Sequence, residues 1–152
     1  MLLSQRRFST RLFDTNAHPD EALRRGLAAS YGEFALAARS LGWIGAAAVA
    51  LPMTDPVAHV RSCAEDPDFY LPVAPWKAGG EHAVPDRIEA LLDLGYKAVK
   101  VHPRFGGPDF GSDEFLRLAD RASASSMTLF VCTYPFGPAA SRLGDHILSD
   151  LE

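Results

Sequence analysis

Short apolar runs alternate along this chain with stretches whose apolar positions recur at helical spacing. Arg11–Phe13 leads into Asp14-Thr-Asn-Ala-His18, a short strand that ends in polar residues. Ser30 then stands before a helix over Tyr31–Leu41, with Glu33 placed as in a capping box. Gly42 ends that helix. Ile44–Leu51 is continuously apolar with Pro52 behind it, a pattern that suits a parallel strand buried on both faces. Asp55 and Pro56 supply a cap and a first-turn proline for a helix running to about Glu65. Phe69–Ala74 reads as a third strand and Trp76–Ala83 as a loop with two glycines. Pro85 opens a helix in which Ile88, Leu91, Leu92 and Leu94 mark one buried face, and Gly95 stops it. Tyr96–Val101 is the fourth strand, with His102-Pro-Arg-Phe105 at its carboxyl end. After a Gly/Pro-rich loop come a helix over Ser112–Ala124 and a fifth strand over Met127–Cys132. Thr133–Pro138 is the loop behind it, and Asp145–Leu151 begins something helical.

Strand starts recur at intervals of roughly 25–30 residues, the length of a βα unit, so the chain is expected to be α/β with a parallel sheet. The first turn has no GxGxxG and ends in polar side chains, which argues against a dinucleotide fold. The alternative is part of a barrel, where residues at the carboxyl ends of strands form the active site. Those ends carry Asp14, Asn16, His18, His102, Arg104, Cys132 and Thr133. The expected fold is therefore an incomplete TIM-type (β/α) barrel, about five parallel βα units of eight, as a single domain over residues 1–152. A complete barrel takes about 250 residues, so the domain is expected to be truncated on its C-terminal side. Open sheet edges make a homo-oligomer or other self-association the expected behaviour of the isolated chain, and catalysis by it alone is not expected.

Composition narrows the partners. The 152 residues are 47% hydrophobic and 22% charged, an ordinary globular balance. Fifteen Lys and Arg against 19 Asp and Glu leave a net charge of −4 with no basic tract, so no nucleic-acid partner is expected. The apolar run from Leu41 to Leu51 is too short for a bilayer, which needs about 20 residues. Cys63 and Cys132 are the two cysteines, far apart and without a CxxC companion. That argues against a disulfide framework or a structural zinc motif and favours a reducing, cytoplasmic setting. The opening MLLSQRRFSTRLF has some transit-peptide character but no long apolar segment; it reads as a lead into the first strand.

Candidate chemistry sits at the strand ends. Asp14, Asn16 and His18 have period-two spacing, which places them on one face of an extended strand. A histidine and a carboxylate converging there suit a divalent metal. The same residues also fit a strand-end cap and a polar hydrogen-bonded layer. Lys100, His102 and Arg104 share parity if the strand stays extended through Pro103. Such a cationic cluster would draw a carboxylated substrate, with Arg104 binding it bidentately and His102 acting as a base or ligand. Arg104 could equally pair with a loop acid, and Lys97 is read as solvated. Cys132 could be a soft ligand, a nucleophile or a small buried hydrophobe. Trp76 could line a pocket or pack a lid. His59, His82 and His146 have no companion spacing and read as surface or packing residues.

LFDTNAH, then IGAAAVALP, then LGYKAVKVHPRF, then an apolar strand opening into CTY together resemble the amidohydrolase-related (amidohydrolase-2 type) metal-dependent hydrolases, from about Leu12 to Gly137. The fourth-strand segment is the most specific part. The resemblance implies a TIM-type barrel and a divalent metal, zinc by preference. It also implies hydrolysis of a C–O or C–N bond in a small, carboxylated substrate. Non-oxidative decarboxylation, metal-free lactone hydrolysis and a degenerate binding or scaffold barrel are the alternatives. It implies metal ligands at Asp14, Asn16, His18 and Cys132, catalytic roles for His102 and Arg104, and substrate contacts from Lys100, Arg104, Trp76 and Thr133. Two of these positions depart from the family: Asn16 and Cys132 stand where it places metal histidines. The family's last ligand, an aspartate, would lie beyond Glu152.

Overall fold

The computed structural model describes residues 11–80 and 82–132. The lead over residues 1–10, Thr133, the loop after the fifth strand, His146 and the helix expected over 145–151 lie outside the described residues.

The order of elements is β1 (Leu12–Ala17), α1 (Pro19–Arg24), α2 (Tyr31–Ser40), β2 (Trp43–Val49), α3 (Pro56–Cys63), β3 (Tyr70–Trp76), α4 (Val84–Leu94), β4 (Ala98–Val101), α5 (Asp113–Ala124) and β5 (Thr128–Val131). The strand order is the chain order, β1-β2-β3-β4-β5, so the expected α/β fold with five parallel strands is present. The chain divides into two compact units at Pro72 and Val73, inside β3.

In the first unit the core is built from small and aromatic residues. Ala17, Ala35, Ala38, Ala46, Ala48 and Cys63 are buried around Tyr31, Phe69 and Tyr70. The alanines of β2 leave room for the rings, which meet edge to face: Phe69 and Tyr70 lie 5.0 Å apart at 87°. Gly45 is required for the same reason. A Cβ there would stand 2.9 Å from the Phe13 ring and 3.1 Å from the Phe69 carbonyl. The two caps read from the sequence are made: Ser30 Oγ accepts from the Glu33 amide at 3.1 Å and Asp55 from the Ala58 amide at 2.7 Å. The Glu33 carboxylate reaches past Ser30 and takes the Ala29 amide at 2.5 Å.

In the second unit β3 pairs with β4 from Val73 opposite Ala98 to Trp76 opposite Val101, and β4 pairs with β5 over Ala98–Val101. Val73, Val99, Val101, Ile88 and Leu118 are fully buried. Each such side chain contributes about 1.5–3 kcal/mol relative to exposure. Gly95 ends α4 with φ 102°, a left-handed conformation that a side chain would strain. Ser112 caps α5, accepting from the Phe115 amide at 3.2 Å.

Three local features differ from expectation. Helix α1 was not anticipated; Pro19 at its first position and Asp20 and Glu21 in its first turn are the signals that start it. Strand β3 extends through Trp76, which was expected in a loop. After β4, Pro103–Phe105 form one 3-10 turn in place of extended chain. Among the described residues no helix is long and apolar enough to cross a membrane.

Candidate functional site

The carboxyl end of β1 is built by an irregular strand. Asp14 faces Ala46 but Ala17 faces Ala48, so β1 holds one residue more than β2 over that stretch. The bulge interrupts the alternation that would have put Asp14, Asn16 and His18 on one face. Asp14 turns its carboxylate onto its own backbone, with Oδ1 accepting from the Asn16 amide at 2.8 Å. Asn16 is exposed and His18 half-buried.

His18 occupies the N-cap position of α1 at φ −122°, ψ 74°, yet its side chain caps nothing. The imidazole points to the end of β2, where Nδ1 lies 3.2 Å from the Val49 carbonyl oxygen. A carbonyl only accepts, so Nδ1 carries the hydrogen and the lone pair of the neutral ring is on Nε2. This is the arrangement by which a backbone carbonyl orients a ligating or basic histidine.

Two residues further on, Asp20 joins three segments. Its Oδ1 accepts from the Tyr31 hydroxyl and its Oδ2 from the Thr54 hydroxyl, each at 2.8 Å. Burial, and then the hydrogen bond to Asp20, push the Tyr31 hydroxyl well above the ordinary tyrosine range. Behind Tyr31 lies His59, 1% exposed, its ring edge-on to Tyr31 at 6.0 Å and Nε2 3.9 Å from Cys63 Sγ. Burial lowers the His59 pKa, with the Asp20 charge opposing, and raises the Cys63 thiol to about 12. Cys63 is thus a protonated, packed thiol. His59 is a packing residue, one of the two alternatives its sequence context allowed.

In the second unit, Lys100 and His102 stand at the end of β4, both half-buried. After His102 the backbone enters the 3-10 turn Pro103–Phe105, so the strand does not stay extended through Pro103. The His102 ring packs against Phe105, centroids 4.3 Å apart, and its carbonyl accepts from the Phe105 and Gly107 amides. Gly107 lies so close that a Cβ would be 3.0 Å from the His102 backbone. Cys132 is half-buried, and its amide continues the ladder to the Val101 carbonyl at 3.0 Å. Lys97 is exposed, as read from the sequence.

Trp76 is 3% exposed. Its indole donates to Glu114 Oε1 at 3.0 Å, and the Arg87 guanidinium covers the ring at 3.7 Å. Arg87 also donates to Glu114 at 3.2 Å and to the Lys77 carbonyl at 2.6 Å. Burial raises the Glu114 pKa, but the Gly79 amide, the Trp76 indole and Arg87 outweigh it and the net shift is downward. A cavity of about 320 Å³ opens beside this cluster, lined by Gly80, His82, Arg87, Glu114 and Arg117 among others. The Trp76 ring is packing between Arg87 and Glu114.

Within its unit, then, His18 meets Val49, and Asp20 meets Tyr31 and Thr54. Asp14 Oδ1 accepts from the Asn16 amide. Among the described residues no three of His, Cys, Asp and Glu are grouped so as to hold a metal ion. Of the ligands implied by the resemblance, His18 is the one whose hydrogen bond orients a ligating nitrogen, Nε2. Asp20 was missed by sequence reasoning because its partners are 11 and 34 residues away. Its sole local signal is the acidic first turn of α1. No protein-family model, no curated protein and no solved structure matches the chain.

Proposed function

We propose that the chain is part of a TIM-type barrel hydrolase of the amidohydrolase kind, cleaving a C–O or C–N bond in a small carboxylated molecule. The observation that supports this reading best is the His18 imidazole, held by Nδ1 on the Val49 carbonyl with the Nε2 lone pair remaining. At that nitrogen a neutral imidazole can take a proton from water as the water attacks a carbonyl carbon. General-base help of this kind is worth about 10²–10⁴-fold in rate. Lys100, His102 and Arg104 would supply the cationic character for a substrate carboxylate in this reading. The resemblance also implies a divalent ion, zinc by preference. His18 would hold it through Nε2.

A second reading is a binding or scaffold barrel that has lost catalysis. Asp14 favours it, because its carboxylate serves the Asn16 amide. Metal analysis after dialysis against Zn²⁺, with hydrolysis of small carboxylated lactones and amides followed in parallel, separates the two for the full-length protein and its His18→Ala variant. Turnover or retained zinc that disappears in His18→Ala supports the hydrolase. No retained zinc together with unchanged turnover in the variant overturns it, and ligand binding without turnover would select the scaffold.

A further inference from the structure

We infer that Asp20 is a positioning residue for His18, setting which ring nitrogen the imidazole presents; this rests on the reading of His18 as the working group of the site. The two side chains are tied to one segment of chain. His18 reaches Val49 at the end of β2, and Asp20 reaches Thr54 in the turn that follows β2. The other Asp20 oxygen is tied to Tyr31, which is 1% exposed and packed between His59 and Tyr70. Tyr70 in turn donates to the Tyr31 carbonyl at 2.8 Å. The start of α1 is thereby fastened to the core on one side and to the β2–α3 turn on the other.

That fastening matters because the His18 contact has little slack. At 3.2 Å it lies at the long end of the N–H···O range. The Val49 end is fixed, since Val49 is 4% exposed and lies in the sheet. A shift of a few tenths of an ångström at the start of α1 would be taken up by the imidazole contact. Asp20 sits two residues from His18 and in the first turn of that helix, and the His18 carbonyl accepts from the Glu21 amide at 3.0 Å. With both hydroxyl tethers removed, that first turn loses its two side-chain anchors. The neutral ring then no longer has to keep its hydrogen on Nδ1.

The experiment is long-range ¹H–¹⁵N NMR of the imidazoles in the metal-free 152-residue chain, at a pH where they are neutral. In the wild type His18 is expected as the Nδ1–H tautomer. In Asp20→Ala the Nε2–H tautomer is expected to become the major form. In Asp20→Asn the wild-type pattern is expected to return, because the carboxamide oxygen accepts one hydroxyl bond and its NH₂ can donate to the other oxygen. A folded Asp20→Ala whose His18 stays Nδ1–H overturns the inference, as does an Asp20→Asn that fails to restore the pattern. If Asp20→Ala does not fold, Thr54→Val removes one tether and leaves Tyr31 in place. A partial shift toward Nε2–H supports the inference there, and an unchanged tautomer overturns it. A chain that holds no zinc would sink the metal part of the proposed function and leave this tautomer result untouched.

Discussion

The two units bury polar side chains in opposite ways. At the β1 end of the first, a single carboxylate, Asp20, is satisfied by two neutral hydroxyls, and a neutral histidine and thiol lie behind it. In the second, an ion pair between Arg87 and Glu114 is laid over an indole and finished with backbone groups of Lys77 and Gly79. The second arrangement is a brace. Both Glu114 oxygens and both Arg87 terminal nitrogens have partners, and Trp76 serves as the platform. The first leaves a nitrogen lone pair, His18 Nε2, beside a network that fixes its neighbours. Hydrogen bonds to one fixed carboxylate can orient a reactive group without neutralising it, whereas a stacked ion pair is consumed by its own stability.

The largest expected effect tests the brace. Trp76→Ala removes a buried ring together with the partner of Arg87 and a donor to Glu114. It should cost about 3–5 kcal/mol in urea unfolding, with amide-exchange protection lost from α4 and α5. Protection lost evenly along the chain would erase the distinction between the units. Smaller is Tyr31→Phe, which leaves one Asp20 oxygen without its hydroxyl and should cost about 1–3 kcal/mol. A neutral result there would mean that the Asp20 network carries no strain-bearing role.

Acid sharpens the same contrast, because the two units hold groups shifted in different windows. The folded His59 pKa lies below its ordinary 6.5, so the unfolded chain takes up the proton first. The stability tied to His59 is complete above that pH and is lost as the pH falls from there through the folded value. The folded Glu114 pKa lies below 4.5, so its contribution survives to lower pH and is lost from 4.5 downward. Amide exchange should report α3 loosening at a higher pH than α5, and His59→Asn should move the first loss but leave the second. The smallest effect lies outside both side-chain clusters: Arg24→Ala removes an exposed ion pair with Glu21 and should leave the urea midpoint where it is.

Much of the architecture was legible because it is written in local chemistry. Ser30 and Asp55 each stand where a hydroxyl or carboxylate meets the third amide of its helix. Gly95 stands where the backbone turns left-handed. The apolar run in β2 marks a strand buried on both faces. What failed was reading side-chain direction from parity. A bulge between Asp14 and Ala17 and a 3-10 turn at Pro103 each shift the alternation by backbone geometry that the residue types do not announce. Pro75 stands where the expected third strand stopped, and β3 runs through it to Trp76. The Asp20 and Arg87 clusters depend on long-range partners, and long-range partners leave no spacing to read. Of the site, His18 was legible as a strand-end histidine, while the tether that orients it was not.

The most direct test of the role given to His18 is a zinc titration of the wild-type chain followed at the His18 Nε2 resonance. The expected result is an Nδ1–H ring in the absence of metal whose Nε2 signal moves on adding Zn²⁺. A ring that carries its hydrogen on Nε2, and that ignores zinc, would contradict it.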